Sequence, residues 1–170
     1  MIGRARAGDL DAQDVLVRRY LADVYGLAFR MLRDEDLAQD AAQDAMVNAM
    51  RGLDRFRGDA SFRTWVLRIA ANAAKSLARR RSRKREVPLT AVDGLAGEAE
   101  DPAARVEMKD QAERIRARIS TLPGKQRMAV ELRVNQGLDY QEIARILKCS
   151  TGAARVNYHL GIKRLRELMR

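Results

Sequence analysis

The sequence predicts an all-α fold of two small helical domains, and three observations support this. Hydrophobic residues form 46% of the 170-residue chain but aromatic residues only 5%, so helix-forming Ala, Leu and Arg outweigh strand formers. Apolar residues recur at spacings of three and four on both sides of a central segment. That segment, VPLTAVDGLAGEAEDPAARVE, holds two of the three prolines and no regular period, which favours a flexible linker over a loop packed within one domain.

The charge pattern divides the chain at the same place. Residues 1–90 carry 18 basic and 12 acidic side chains (net +6), and residues 91–108 carry one basic and five acidic (net −4). Residues 109–170 carry 14 basic and 6 acidic side chains (net +8). We therefore predict an N-terminal domain over residues 1–88, a flexible acidic linker over residues 89–108 and a C-terminal domain over residues 109–170.

Bulk properties narrow the classes of function. A net charge of +10 and a pI of about 10.4 indicate a polyanionic partner, with nucleic acid favoured over membrane; the alternative is a merely soluble basic protein. One Cys and one His permit no disulfide within the chain and argue against a four-ligand zinc site. The first twenty residues contain no long apolar run, so we expect neither a signal peptide nor a membrane span, and a cytoplasmic location. No cofactor or metal is expected.

The N-terminal domain reads as consecutive helices. Asp9 or Asp11 caps a first helix, whose apolar positions are Val15, Leu16, Tyr20, Val24, Leu27, Ala28 and Met31. The next helix, DEDLAQDAAQDAMVNAMRGL, begins with acids at the end that the helix dipole favours and stops at Gly52. DRFRGDA is then a turn, with Gly58 and Asp59 as breakers.

The helix that Ser61 can cap has two distinct faces. Its apolar stripe, best interpreted as core, consists of Phe62, Trp65, Val66, Ile69, Ala70 and Ala73. A polar stripe follows spacings of four, three and four through Arg68, Asn72, Lys75 and Arg79, which suits a path for single-stranded or duplex DNA. The basic run that ends the helix is predicted to contact phosphate. For Trp65, core packing and contact with melted DNA both remain open.

In the C-terminal domain, the sequence predicts a helix near residues 108–121 and a second that starts at Pro123, with Gly137 as its stop. It predicts a third helix from about Asp139 and a last one from Ser150. The last two form a helix-turn-helix pattern around KCS, with Ile143, Ala144 and Leu147 on one face. The buried stripe of the last helix is predicted as Ala154, Tyr158, Gly161, Leu165 and Leu168. An ordinary pair of packed helices is the alternative.

Recognition helices read bases with their N-terminal residues. The candidates on the face opposite the buried stripe are Thr151, Gly152, Arg155, Val156 and His159. Arg155 could pair with guanine, while Lys163 and Arg164 lie better for phosphate. For His159, a surface histidine without a special role and a DNA contact both remain open.

At this point the sequence resembles the small extracytoplasmic-function sigma factors of bacterial RNA polymerase. DYQEIARILKCSTGAARVNYHLGIKRLREL is similar to their minus-thirty-five reading domain. The segment DEDLAQDAAQDAMVNAMRGLDRFRGDASFRTWVLRIAANAAKSLARRR is similar to the domain that binds polymerase and melts the minus-ten element, and RAGDLDAQDVLVRRY to its entry helix. The resemblance implies an all-helical protein without enzymatic activity of its own, which directs promoter recognition, melting and transcription initiation.

The resemblance also implies partners and surfaces. The partners are core RNA polymerase (the clamp helices of its largest subunit and the flap of the second-largest), duplex and single-stranded promoter DNA, and an anti-sigma protein. The polymerase-docking residues are Asp40, Gln43, Asp44, Val47 and Arg51. The minus-ten residues are the specificity loop Phe56, Arg57, Gly58, Asp59, Ala60 and Ser61, followed by Trp65, Arg68, Asn72, Lys75, Arg79 and Arg80. The minus-thirty-five residues are Thr151, Gly152, Arg155, Val156, His159 and Lys163.

Three rival functions are weaker on the same residues. A helix-turn-helix repressor or activator would bind duplex operator DNA without polymerase, which leaves the acidic motif and the N-terminal basic helix without a role. A nuclease or nucleotidyl transferase would need a carboxylate cluster, a phosphate-binding Gly loop or a Cys/His constellation. A membrane-surface helix would need more apolar bulk than Phe62 and Trp65 supply.

Overall fold

A computed structural model of the protein describes residues 1–84, 118–119 and 121–169, with only the backbone for residues 82–84. Within these residues the chain forms seven α-helices and one short 3-10 turn, and no strand. The helices are α1 (Ile2–Arg6), α2 (Leu10–Leu32), α3 (Glu35–Arg51), α4 (Phe62–Lys84), α5 (Gly124–Val134), α6 (Tyr140–Leu147) and α7 (Thr151–Leu168), with the 3-10 turn at Leu53–Arg55. The linker predicted over residues 89–108 lies outside the described residues, as does nearly all of the helix predicted near residues 108–121.

In the N-terminal domain, α2, α3 and α4 pack against one another. Aspartate side chains cap the first residues of α2 and α3. Asp9 accepts the amide of Ala12 and caps α2, and Asp34 accepts the amide of Leu37 and caps α3. Most predicted apolar positions of α2 are buried or half-buried, but Val15 is 43% exposed and was wrongly assigned. It lies beside Leu16 on the helix, and consecutive residues point about 100° apart, so only Leu16 reaches the core.

In the C-terminal domain, α5, α6 and α7 form the predicted helix-turn-helix and its support. Asp139 and Glu142 form a complete capping box at the start of α6, and Ser150 accepts the amide of Ala153 to cap α7. The turn reverses at Lys148, which adopts the left-handed conformation at φ 53°. Ile143, Ala144 and Leu147 are buried as predicted.

Three details of the C-terminal prediction were wrong. Pro123 is extended (ψ 139°) and precedes the first helical residue, Gly124, instead of being that residue. The helix ends at Val134, and Gly137 (φ 65°) serves the loop beyond it. Leu168, the last residue of α7, is 45% exposed instead of buried.

The two domains dock on each other. Helix α4 contacts α6, and α2 contacts α5. One apolar cluster includes Leu16 and Leu67 from the N-terminal domain together with Ile143 and Leu147 from the C-terminal domain. Polar contacts cross the same boundary, among them an ion pair between Arg30 and Glu131. The apolar cluster is therefore continuous between the two halves of the described chain.

Docking makes the buried part of α4 wider than the predicted stripe. Phe62, Val66 and Ala70 are buried as expected, while Trp65, Ile69 and Ala73 are half-buried. Four further residues are fully buried, although the stripe left them out: Thr64, Leu67, Ala71 and Ala74. These additional residues are buried because α4 packs against three helices, α2, α3 and α6.

Gly161 allows α7 to approach α5 closely, and this provides a stability test. A methyl group at Gly161 would lie 2.7 Å from a Val130 methyl and 3.2 Å from the Gln126 carbonyl oxygen, whereas a methyl group at Gly152 would meet only the Ser150 hydroxyl, at 4.0 Å. We expect Gly161→Ala to lower the free energy of unfolding by about 1–3 kcal/mol through overpacking. Gly152→Ala in the same helix should be neutral or stabilising by up to about 1 kcal/mol. Urea unfolding followed by circular dichroism measures both, and equal effects would contradict the close approach.

Candidate nucleic-acid and polymerase interface

The predicted polymerase-docking residues share the outward face of α3. Asp40, Gln43, Asp44, Val47 and Arg51 are all exposed. The opposite face carries the alanines Ala38, Ala41, Ala42, Ala45 and Ala49, all buried against the neighbouring helices. Because these alanines, together with Met46, supply the buried contacts of the inner face, the acidic face is left exposed to another macromolecule.

The predicted minus-ten loop, residues 56–61, is anchored at both ends and exposed in the middle. The Phe56 ring packs on Phe62 and Trp65, with ring centroids 5.4 and 5.3 Å apart. At the other end, the Ser61 hydroxyl accepts the Thr64 amide at 3.1 Å and caps α4. Between them Arg57, Gly58 and Asp59 are exposed, and Gly58 takes a φ of 81° that favours glycine.

Helix α1 braces this loop, which the sequence prediction missed. The Arg6 guanidinium donates to the Phe56 carbonyl oxygen at 2.7 Å and to the Leu53 carbonyl oxygen at 3.3 Å. A cleft of about 500 Å³ opens between α1 and the loop, lined by Ile2, Gly3, Arg6, Asp54, Phe56, Arg57 and Gly58. The available signal was the Gly8–Asp9 pair, a helix stop followed by a cap, with Ile2 and Ala5 three residues apart before it.

Trp65 packs within the N-terminal domain. Its ring centroid lies 5.5 Å from that of Phe62, and the ring also covers Gly52, where a Cβ would lie 3.7 Å away. Phe62 in turn contacts Tyr20 at 5.3 Å. The half-buried Trp65 is therefore part of an aromatic cluster that supports the loop, which favours the packing role of the two left open.

The predicted polar stripe of α4 is exposed except at one position. Arg68, Asn72, Arg79 and Arg80 are exposed, whereas Lys75 is half-buried. Burial lowers the pKa of the Lys75 ammonium, and the positive charges of Lys148, Arg79 and Lys125 lower it further. Cations of both domains thus gather around the middle of α4.

One arginine of the basic run has a structural partner. Arg81 pairs with Asp34, the capping residue of α3, at 2.6 Å. This ion pair joins the start of α3 to the end of α4, so Arg81 is engaged within the protein. The side chains of the remaining basic residues of the run, 83–85, lie outside the described residues.

The predicted minus-thirty-five residues lie together on the exposed face of α7. Thr151, Gly152, Arg155, Val156 and Lys163 are exposed. The Arg155 guanidinium lies 5.2 Å from the centre of the Tyr140 ring, which holds it near the start of the helix. His159 is also exposed, with its ring centroid 5.3 Å from that of Tyr158. Contact of His159 with DNA stays a prediction.

Two basic residues beside this face were not predicted. Arg145 and Lys148 are exposed and line a cleft of about 740 Å³ together with Ser150 and Thr151 at the start of α7. Cations next to a helix N-terminus favour the binding of a phosphate group. Their signal in the sequence was Arg145, three residues before the KCS turn, and Lys148 within it.

Membrane and metal sites were searched in the described part of the chain. None of its helices is long and apolar enough to cross a membrane. The same residues bring together no group of three or more His, Cys, Asp and Glu side chains that could hold a metal ion.

Both domains match families of known proteins. Residues 16–84 match the Sigma-70 region 2 family and residues 112–165 match Sigma-70 region 4. The RNA polymerase sigma-H factor of Pseudomonas aeruginosa is 36% identical over 163 residues, covering 91% of this chain and 84% of that protein. The ECF RNA polymerase sigma-E factor of Escherichia coli K12 is 34% identical over 165 residues, covering 91% and 85%.

Two solved structures share the fold. CnrH in complex with the cytosolic domain of CnrY has a TM-score of 0.73 at 24% identity, covering 99% of this chain and 94% of that one. The sigma factor RpoE, in complex with the anti-sigma factor NepR from Bartonella quintana, has a TM-score of 0.70 at 22% identity, covering 95% and 96%. These similarities extend over both domains and across the segment that joins them.

The brace from α1 to the loop is testable through the single tryptophan. Arg6→Ala removes both hydrogen bonds to the loop, so Phe56 should pack less firmly on Trp65. We expect acrylamide to quench Trp65 fluorescence more strongly in this variant. Arg4→Ala is the matched control, because Arg4 pairs with Asp9 and has no hydrogen bond to the loop among the described contacts. Identical quenching in Arg6→Ala and wild type would show that the loop does not depend on α1.

Proposed function

The chain belongs to the extracytoplasmic-function sigma factors, and we propose that three separate faces of its helices carry polymerase docking, minus-ten recognition and minus-thirty-five recognition. As a member of that family it is an alternative sigma factor, without enzymatic activity, that directs promoter recognition and transcription initiation. One observation carries the assignment of faces. The inner side of α3 is lined with alanines, so its acidic residues point outward. The exposed cations lie on a different helix, α4.

The outward face of α3 docks on core RNA polymerase. Asp40 and Asp44 lie one turn apart, with Val47 and Arg51 continuing the same side. Exposed carboxylates around a 42%-exposed valine offer both charge and apolar contact to a basic helical partner. The proposed partner is the pair of clamp helices in the largest polymerase subunit.

Charge reversal tests this docking face. Asp40→Lys or Asp44→Lys should abolish or strongly reduce holoenzyme assembly while the circular dichroism spectrum stays unchanged, because both side chains are exposed. Asp11→Lys makes the same charge change at an exposed position on α2 and should assemble normally. Gel filtration with core polymerase gives the readout. Normal assembly of both α3 variants would refute the assignment.

The loop and α4 together bind the melted minus-ten strand. The cleft between α1 and residues 54–58 is open and carries Arg6 and Arg57, so it can receive a base turned out of the stack. From Ser61 the strand continues along Arg68, Asn72, Lys75 and Arg79, where cations meet phosphates. Because the unpaired strand is bound and the duplex is not, binding itself favours melting.

The start of α7 reads the minus-thirty-five element in the major groove. Thr151, Gly152, Arg155, Val156 and His159 face outward there, with Arg155 reading guanine and Val156 available to a thymine methyl group. Lys163, Arg145 and Lys148 contact phosphates. The flap of the second-largest polymerase subunit is the proposed support for this domain.

Arg155 and Lys163 should behave differently in a promoter-binding assay. Arg155→Ala should cost about 1–3 kcal/mol on promoters with the preferred base and little on others. Lys163→Ala should weaken binding uniformly, because a phosphate contact carries no sequence information. Holoenzyme binding to a panel of minus-thirty-five variants measures both. A uniform loss for Arg155→Ala would reassign that side chain to phosphate.

The relatives suggest the setting in which the protein works. Because a structurally similar sigma factor was solved with an anti-sigma factor, we propose that a protein of that kind controls this chain as well. We propose that this chain acts in the cytoplasm, where it would meet RNA polymerase. We further propose that the domain limits follow the charge pattern, at residues 1–88 and 109–170.

Run-off transcription tests the function as a whole. Core polymerase with this protein should initiate on a subset of a random promoter library, and core polymerase alone should not. A gel shift with and without core polymerase separates the rival repressor function. Specific duplex binding by the protein alone, without initiation, would favour the rival.

A further inference from the structure

We propose that Tyr140, the first residue of α6, is a positioning residue for minus-thirty-five recognition, because its ring sets the guanidinium of Arg155 in the orientation that reads a guanine. The inference rests on the proposed role of Arg155 as the guanine-reading side chain. It adds a residue from the helix that precedes the recognition helix. Tyr140 acts through Arg155 and does not itself need to touch DNA.

The Tyr140 ring connects the three described helices of the C-terminal domain. Tyr140 opens α6. The guanidinium carbon of Arg155, on α7, lies over its ring at 5.2 Å from the centroid, and that of Arg133, on α5, lies over it at 5.0 Å. Both distances are within the range of about 6 Å in which a cation is attracted to the face of an aromatic ring. The ring therefore links the base-reading side chain to the helix that supports the helix-turn-helix.

The surroundings of the Tyr140 ring hold it in place. Tyr140 follows Asp139, whose side chain forms a complete capping box and so fixes the backbone at the start of α6. The ring is half-buried, and its centroid lies 5.9 Å from that of Tyr158 and 6.4 Å from that of His159. Aromatic pairs at such distances attract one another. Because the ring is packed in this way, the surface that it offers to Arg155 is rigid.

Arg133 anchors the same ring from the supporting helix. Its Nη1 donates to the carbonyl oxygen of Leu138 at 2.8 Å, in the loop just before α6. This hydrogen bond fixes the guanidinium, and the guanidinium in turn attracts the Tyr140 ring. The ring is thus tied to α5 as well as to the start of α6.

An aromatic ring is suited to hold a base-reading arginine because it leaves the hydrogen-bond donors free. A guanidinium reads guanine with two N–H donors directed at O6 and N7. A carboxylate partner would occupy those donors, whereas the face of a ring attracts the cation and leaves them available. Arg155 is exposed, and it forms no ion pair or hydrogen bond with any residue that the structure describes. The Tyr140 ring therefore orders a side chain whose donors remain available to a base.

The other cations of α7 are held differently from Arg155. Lys163, Arg164 and Arg166 are exposed, and within the described residues none of them lies over an aromatic ring. A cation without such a restraint can follow a phosphate, whose contact carries no sequence information. Bidentate reading of a base requires the guanidinium at a fixed angle. Ordering Arg155 before DNA arrives also removes in advance part of the rotamer entropy that binding would otherwise cost.

The test measures base discrimination by the holoenzyme. Dissociation constants on a panel of minus-thirty-five variants give the ratio between the preferred base and the other bases at the position that Arg155→Ala identifies. Tyr140→Leu should lower this ratio about two- to fivefold, which corresponds to one exposed cation–π contact. Affinity for the promoters without the preferred base should stay at the wild-type value. Tyr140→Phe keeps the ring and should keep the ratio.

Two comparisons separate positioning from support of the fold. In the Arg155→Ala background, Tyr140→Leu should have no further effect on the ratio, because both changes remove the same interaction. Tyr25→Leu, at an exposed tyrosine of α2 that stacks on Phe29, is the matched control and should behave as wild type. If Tyr140→Leu loses helical signal, Tyr140→Met gives the same comparison, since methionine supplies an adaptable apolar side chain without a ring.

Three results would overturn the inference. An unchanged ratio in Tyr140→Leu would remove the positioning role and leave guanine reading by Arg155 intact. An equal loss on every promoter, or a loss in Tyr140→Phe as large as in Tyr140→Leu, would assign Tyr140 to the fold or to a direct DNA contact. A uniform loss in Arg155→Ala would refute the proposed guanine reader, and this inference with it.

Discussion

The burial of α4 on three sides is the constraint on which the rest of the structure depends. Its apolar residues fill the space between α2 and α3, and its first turn also meets α6 of the C-terminal domain. A helix buried this widely leaves only a narrow exposed strip, and that strip carries Arg68, Asn72 and Arg79. The position of the exposed part of the cationic path therefore follows from packing, because Arg68, Asn72 and Arg79 lie where no other described helix covers them.

Polar residues of α4 at the domain boundary determine the orientation in which the two domains dock. Apolar contacts alone would tolerate several rotations of one domain on the other, because the hydrophobic effect is not directional. Arg63, with donors at fixed angles, accepts only one placement of Gln136. Glu142 adds a second fixed point at Thr64. Two such points define an orientation that burial of apolar surface could not.

The sequence predicted local features better than distant ones. Helix starts were predicted at Ser61, near Asp139 and at Ser150, and at one of Asp9 and Asp11, of which Asp9 is the cap, because a cap depends on residues within one turn. The exposed faces of α3 and α7 followed from helical spacing for the same reason. The buried face of α4 was underestimated, since Leu67 and Ala71 are buried by neighbours that periodicity cannot reveal. The Arg63–Gln136 contact joins residues 73 positions apart, so no local sequence pattern predicts it. The specific DNA and polymerase contacts of the site residues stay predictions.

Self-docking within one chain has a consequence for any molecule that would compete with it. Because a single polypeptide carries both domains, each meets the other at an effective concentration that does not depend on the bulk concentration of the protein. A modest interface is therefore enough to keep the domains together, and dilution does not separate them. A competitor that offered only a copy of one contact would have to exceed that local concentration. A partner that bound both domains at once would gain avidity, because they belong to one chain. Such a partner could therefore rearrange the domains at a far lower concentration than a competitor for a single contact.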